Sequence, residues 1–194
     1  MFYAGHQDAA IDRVRRGIAI AIKQDTTFWE VTGIVWLHII QPFESASEEG
    51  LAHFAEAIKT YEMMGAHIGL PYFRAHYALA QAEHGDIAAA YESALRAVRE
   101  NQQDGLHNWY PEVLRLHALV CDIEGGAAGA ARFRQEAAAI ATKQGAALWL
   151  LRTRIDQLSA GEIDAGLLAD AVGQLHHRAA PPEKQAALAL LSRL

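Results

Sequence analysis

Cysteine is almost absent from this chain, and several other features that would mark a function are missing as well. Cys121 is the single cysteine, which excludes a disulfide framework within one chain and a Cys-x-x-Cys zinc motif. Because it follows an apolar run, we expect Cys121 to be a small core residue. The longest basic run is Arg15-Arg16, and the formal net charge is −6. This charge balance argues against direct contact with DNA or RNA.

Signals for membrane insertion and secretion are missing too. No uninterrupted apolar stretch reaches the length of about 18 residues that a transmembrane helix needs. The N-terminus lacks the pattern of a signal peptide, in which a charged segment precedes an apolar one. We therefore expect a cytoplasmic protein that does not contact a membrane.

The sequence also lacks the common catalytic motifs. It contains no glycine-rich phosphate loop, no Gly-x-Ser-x-Gly and no His-Glu-x-x-His. None of its ten histidines forms a His-x-x-x-His pair with a carboxylate between, and the adjacent His176 and His177 point about 100° apart on a helix. We expect no enzymatic activity, no metal and no cofactor. The histidines are expected to be exposed or to line a groove.

What the sequence does contain is an internal repeat. Apolar residues make up 52% of the chain and prolines number only five, which favours helices. Trp29, Trp109 and Trp149 lie on a 40-residue grid, and Pro71 and Pro111 share that spacing. Glycine ends a helix cheaply because it accepts the left-handed conformation, and proline suits the first turn of the next helix. The glycines recur at half that spacing, at Gly65, Gly85, Gly105, Gly125 and Gly145.

Helical spacing of the apolar residues between these glycines makes each 40-residue unit a pair of antiparallel helices. Such pairs bury their apolar stripes by stacking. We therefore predict an all-α fold, an α-solenoid of the tetratricopeptide-like type with about four helix pairs. Ser47 and Asp86 are predicted to begin helices. The predicted helices are 7–24, 27–41, 47–64, 68–84, 86–103, 107–124, 127–144, 146–159, 163–178 and 182–193.

The linkers are short, so residues 1–194 are expected to form a single domain. Residues 1–24 are predicted to be an unpaired helix, the second of a pair whose first helix is missing. Helix pairs fill residues 25–178, and residues 181–194 form a closing helix after Pro181-Pro182. Because a solenoid end normally needs a polar cap, our hypothesis is that the chain is the tail of a longer protein or docks to another copy as a homodimer.

Four segments of the chain resemble a known family. Residues 65–73 are similar to its entry to an inner helix, GA-x-x-G-x-PYF, and residues 109–116 to W-x-PELLR-x. Residues 133–146 are similar to FRQAL-x-IARRQGA, and residues 183–191 to the closing DLKEAKALL. The chain thus resembles, over roughly residues 45–194, the tetratricopeptide-like C-terminal region of bacterial STAND-type signalling ATPases. Those proteins join the ATPase to a nucleotide cyclase or to a winged-helix or LuxR-type DNA-binding domain.

The resemblance implies a regulatory module for protein–protein interaction, whose partner is a protein or peptide. A second hypothesis is a small-molecule or peptide receptor that binds its ligand in the superhelical groove. A shallow, polar, open groove would favour a protein partner. A deep apolar pocket ringed by Tyr72, Trp109 and Trp149 would favour a small ligand.

Helix-pair solenoids usually bind on the concave face, which the first helix of each pair lines. Arg74, Arg115 and Arg152 are candidates for a ladder that faces carboxylates of a bound peptide, although Glu112 and Arg115 also have the spacing of a simple intrahelical ion pair. The tryptophans either fill the wedge between stacked pairs or anchor a bound peptide. The candidate partner-binding residues are Tyr72, Arg74, His76, Trp109, Glu112, Arg115, Trp149 and Arg152.

Overall fold

The structure of the chain is a computed structural model that describes residues 5–104, 107–175 and 181–193. The described residues form ten α-helices and no β-strand, which confirms the predicted all-α class. Two short 3₁₀ turns, Pro42–Ser45 and His107–Trp109, precede α3 and α6. The helices are α1 Gln7–Lys23, α2 Thr27–Ile40, α3 Glu48–Met63, α4 Leu70–Glu83, α5 Ile87–Asp104, α6 Tyr110–Glu124, α7 Ala127–Gln144, α8 Ala147–Ser159, α9 Ala165–Gln174 and α10 Pro182–Leu191.

The local signals in the sequence start and stop these helices as predicted. Ser47 caps α3 by accepting a hydrogen bond from the backbone N–H of Gly50, and Asp86 accepts one from Ala89 at the start of α5. The repeating glycines end helices in the left-handed conformation, except that Gly105 lies outside the described residues. Their φ values are 74° at Gly65, 95° at Gly85, 89° at Gly125 and 64° at Gly145.

After each of these glycines the next backbone N–H bonds to the carbonyl five residues back, as in Ala66 to Tyr61 and Asp86 to Gln81. The end of α1 has the same pattern, with Thr26 bonded to Ala21. The residue in the glycine position there is Asp25, at φ 53°. An aspartate in this conformation carries a backbone strain that a glycine would not.

Asp25→Gly is therefore expected to raise the free energy of unfolding by about 1 kcal/mol, because glycine adopts the left-handed conformation without strain. Thermal unfolding followed by circular dichroism measures the gain. The matched control is Gly85→Ala, which places a side chain at the equivalent position and should lower stability by a similar amount. A Cβ at Gly85 would have no atom within 4 Å. The stability lost in Gly85→Ala would therefore report the backbone conformation alone. A neutral or destabilising Asp25→Gly would contradict the proposed strain.

The helices form two rows. The even-numbered helices α2, α4, α6, α8 and α10 contact one another in sequence, and we call them the even row. Each odd-numbered helix packs between its neighbours along the chain, and no two odd-numbered helices within the described residues contact each other extensively. One row of helices therefore lies closer together than the other. No helix of the described residues is both long and apolar enough to cross a bilayer.

The core follows the even row. One apolar cluster runs from Val31 in α2 to Ala137 in α7, with Tyr72 and Leu114 fully buried in it. Small residues, among them Ala78 and Ala90, fill a second cluster, and a third joins α7 to α8, α9 and α10. Cys121 is buried, as predicted, and burial raises the pKa of its thiol.

The N-terminal helix α1 packs on α2. Their closest approach is at Gly33, where an added Cβ would lie 2.6 Å from the Cγ1 atom of Ile18. Two other isoleucines of α1, Ile20 and Ile22, are more than half exposed. That α1 belongs to a pair with a preceding helix stays a prediction.

Candidate functional site

The candidate site is a groove on the even row. Its cavity volume is about 370 Å³, and every helix of the even row contributes to its lining, together with the 3₁₀ turn after α2. Because the even-row helices are side by side, residues far apart in sequence meet along one surface. The lining residues are Ile39, Pro42, His76, Leu79, Arg115, Leu116, Arg152, Ile155, Asp156, Glu183 and Ala186.

A buried carboxylate bonds to two of the lining arginines of this groove. Glu112 has no exposed side-chain area. Its Oε2 accepts a hydrogen bond from Arg115 Nε, and its Oε1 accepts one from Arg115 Nη2, each at 2.8 Å. The predicted intrahelical pair of Glu112 and Arg115 is therefore confirmed. Oε1 also accepts a hydrogen bond from Nη1 of Arg152, 40 residues along the chain, at 2.8 Å.

Two more carboxylates extend this network over three helices of the even row. Arg115 Nη1 donates to Asp156 in α8 at 2.8 Å. Arg152 Nε donates to Oε1 of Glu183 in α10 at 2.8 Å, and Arg152 Nη2 donates to the same oxygen. We call Glu112, Arg115, Arg152, Asp156 and Glu183 the groove ion cluster. It links α6, α8 and α10 through charge-assisted hydrogen bonds.

The balance of burial and charge differs between the two inner carboxylates. Burial raises the pKa of Glu112, but the charge and hydrogen bonds of Arg115 and the charge of Arg152 outweigh it and lower the pKa to about 2. For Asp156 burial prevails over the attraction of Arg115, and the pKa is raised. Glu112 thus remains a carboxylate over the whole physiological pH range.

His76 borders the cluster and stays neutral. Burial lowers its pKa to about 3, although the charge of Glu112 opposes this shift. Its ring meets Tyr72 edge to face, with centroids 4.6 Å apart. The Nε2 atom of His76 is buried and has no hydrogen-bond partner, and the same holds for the Oε2 atom of Glu183. Two polar atoms at the groove are therefore unsatisfied.

The structure does not bring the three predicted arginines together. Arg74 pairs with Glu62 of α3 at 2.6 Å and with Glu100 of α5 at 2.8 Å, away from the groove ion cluster. Residues two apart on a helix point about 200° apart, so Arg74 and His76 leave α4 on different sides. The prediction that Arg74, Arg115 and Arg152 form a ladder on one surface is therefore wrong.

The predicted aromatic residues are packed within the chain. Tyr72 is 1% exposed, and its ring lies 5.5 Å from that of Trp109. Trp149 packs against the apolar cluster of α7 to α10, with the Arg152 guanidinium 5.3 Å from its ring centre. Trp109 thus packs on α4, and Trp149 packs on the C-terminal apolar cluster. Trp29, by contrast, is 64% exposed.

Sequence reasoning missed Asp156 and Glu183 as members of the site. A signal for Asp156 was present, since it lies on the 40-residue grid with His76 and Leu116. Glu183 has no such marker, because α10 is out of phase with that grid. His38 and His117 were expected to be exposed or to line a groove, but they are 5% and 0% exposed. His176 and His177 lie outside the described residues.

A second surface lies between α1 and α2. This apolar notch of about 420 Å³ is lined by Ile18, Ile20, Trp29 and Trp36 among others. It is where the predicted homodimer contact would form, and self-association stays a prediction. Within the described ranges no group of three histidine, cysteine or acidic residues is placed to hold a metal ion.

Comparison with known proteins gives no assignment for either surface. No family model matches the chain, and no curated protein or solved structure is significantly similar to it.

Proposed function

We propose that the chain is an α-solenoid interaction module that binds a segment of another protein in the groove of the even row. The observation that carries this proposal is the continuity of the groove, to which all five even-row helices contribute side chains. A surface of this kind suits an extended partner, because successive helices offer successive contacts.

The groove chemistry favours a protein partner over a small ligand. Apolar side chains such as Leu79, Leu116 and Ile155 alternate with charged ones along an open surface. The contact between the Tyr72 and Trp109 rings fills the space where the alternative hypothesis requires a deep aromatic pocket. With the sequence resemblance to STAND-type signalling proteins, this supports a cytoplasmic regulatory role in signal transduction or transcription control.

A blocking variant tests the proposal. Peptides selected from a displayed library of random 12-residue sequences on the full chain should include a class that binds in the groove. Ala186→Trp places an indole in the groove from an exposed position of α10, so affinity for these peptides should fall about tenfold or more in fluorescence anisotropy.

The matched control is Ala128→Trp, the same change at an exposed position of α7 outside the groove lining. It should leave affinity within about twofold, as expected for a site outside the contact. If every selected peptide binds Ala186→Trp and the parent chain equally, the groove is not the binding site.

A further inference from the structure

We propose that the groove recognises an arginine or lysine side chain of the bound segment, with its aliphatic stem on the apolar wall and its cationic head at the edge of the groove ion cluster. This inference rests on the proposed function and names the chemistry of the partner. It is carried by the charge count, the unsatisfied atoms and the apolar wall of the groove.

The described residues of the groove ion cluster carry an excess of negative charge. Three carboxylates, Glu112, Asp156 and Glu183, face two guanidinium groups, Arg115 and Arg152. His76 adds no charge, because burial keeps its imidazole neutral. The five side chains therefore carry a net charge of −1 in a partly buried groove, which would attract a cation.

The arginines of the cluster are already committed to the chain's own carboxylates. Arg115 bonds through Nε and Nη2 to Glu112 and through Nη1 to Asp156. Arg152 bonds through Nε and Nη2 to Glu183 and through Nη1 to Glu112. Each guanidinium thus directs at least three of its five N–H donors to the chain's own carboxylates. A carboxylate or phosphate on a partner would approach three carboxylates whose charge exceeds that of the two guanidinium groups, so the groove disfavours anions.

The two unsatisfied atoms, by contrast, favour a hydrogen-bond donor such as a cationic side chain. Glu183 Oε2 is a carboxylate oxygen, which can only accept hydrogen bonds. His76 Nε2 belongs to a neutral imidazole and can accept when the proton is on Nδ1. An incoming guanidinium or ammonium group supplies donors alone, and it would satisfy Glu183 Oε2 once this buried oxygen turns toward the groove.

The apolar part of the lining suits the rest of such a side chain. Ile39, Leu79, Leu116 and Ile155 line the same groove as Glu183. Arginine and lysine bury their methylene stems along apolar surface while their heads reach polar groups. A neutral apolar side chain would use this wall but leave Glu183 Oε2 without a donor.

The test uses the full chain and the groove-binding peptides defined by their loss of affinity for Ala186→Trp. These peptides should share an arginine or lysine at one position next to apolar residues. Replacing an arginine there by citrulline, which keeps the shape and removes the charge, should weaken binding about tenfold, as should replacing either cationic residue by glutamate.

Glu183→Gln reverses the hydrogen-bonding character near the unsatisfied oxygen while its amide oxygen can still accept from Arg152. It should weaken the cationic peptide about tenfold and leave the citrulline peptide within about twofold. The control is Glu92→Gln, which removes the same charge at an exposed position of α5 and should change neither affinity.

The outcomes separate the two proposals. Groove-binding peptides without an arginine or lysine preference, or an equal effect of Glu183→Gln on both peptides, would overturn the cation site and leave the groove as an interaction surface. If no selected peptide loses affinity for Ala186→Trp, the proposed function itself fails and the cation site falls with it.

Discussion

Replacing Glu112 by alanine is expected to lower the free energy of unfolding by about 3–5 kcal/mol, the range for breaking a buried ion pair from one side. The side chain is 0% exposed and holds two guanidinium groups, those of Arg115 and Arg152. Without it, two like charges face each other in a low-dielectric environment with only their outer partners left. Urea unfolding followed by circular dichroism measures the loss.

Two controls separate charge from shape in this experiment. Glu112→Gln keeps the volume and one acceptor oxygen, so its loss should be intermediate. Glu44→Ala removes a more exposed carboxylate that lies 3.4 Å from Arg15, and the loss should stay within about 1 kcal/mol. A loss of less than about 1 kcal/mol for Glu112→Ala would show that the cluster does not hold α6 and α8 together.

Mild acid is expected to destabilise the chain through its buried histidines. Burial, aided by the charge of His53, lowers the pKa of His38 to about 4. Burial, aided by the charge of Arg132, lowers the pKa of His117 to about 4 as well. In the unfolded chain both regain a pKa near 6.5, so between about pH 6.5 and 4 the unfolded state binds more protons than the folded state.

The free energy of unfolding should therefore fall as the pH drops through this window, by at most on the order of 3 kcal/mol for each of these two histidines. His76, whose pKa is about 3 in the fold, adds a loss of the same sign. Glu112 contributes its own loss as the pH falls from its ordinary pKa of about 4.5 toward its pKa of about 2 in the fold. Urea unfolding at pH 7.5, 6 and 5 would measure the slope. An unfolding free energy that stays constant from pH 7.5 to 5 would contradict the burial of these two rings.

The variant His117→Phe measures how much one histidine contributes to the pH dependence of the free energy of unfolding. Both ring nitrogens of His117 are buried without hydrogen-bond partners, and the ring stacks on Phe133 with centroids 4.1 Å apart. A phenyl ring keeps the stacking and has no polar atoms to satisfy, so we expect a gain of about 1 kcal/mol at pH 7.5. The variant should also lose less stability on acidification. Retention of the full pH dependence would show that His117 does not contribute to it.

The helices were predictable because their signals are local. Each of these signals acts within a few residues of its own position. They are the glycines in the left-handed conformation, the N-caps Ser47 and Asp86, and the first-turn prolines Pro71 and Pro111. All ten predicted helix ranges correspond to helices of the structure. Only the range 163–178 extends into residues that the structure does not describe.

The composition of the groove was harder to predict because it depends on contacts between units. Glu112 bonds to Arg115 three residues away, which the sequence suggests, and to Arg152 40 residues away, which it does not. His117 follows Arg115 by two residues, yet one is fully buried and the other lines the groove. Helical periodicity separates such neighbours, but the packing of adjacent helices decides which side is buried.

The two rows of helices should differ in how strongly they resist bending of the chain. Bending that spreads the odd-numbered helices breaks few contacts, whereas opening the even row must separate packed helices. In the C-terminal half it must also part the ion pairs that join α6, α8 and α10. The sequence of α2 carries one formal charge, Glu30, so α2 and α4 have no comparable ionic link. The C-terminal half of the even row should therefore resist opening more strongly than the N-terminal half.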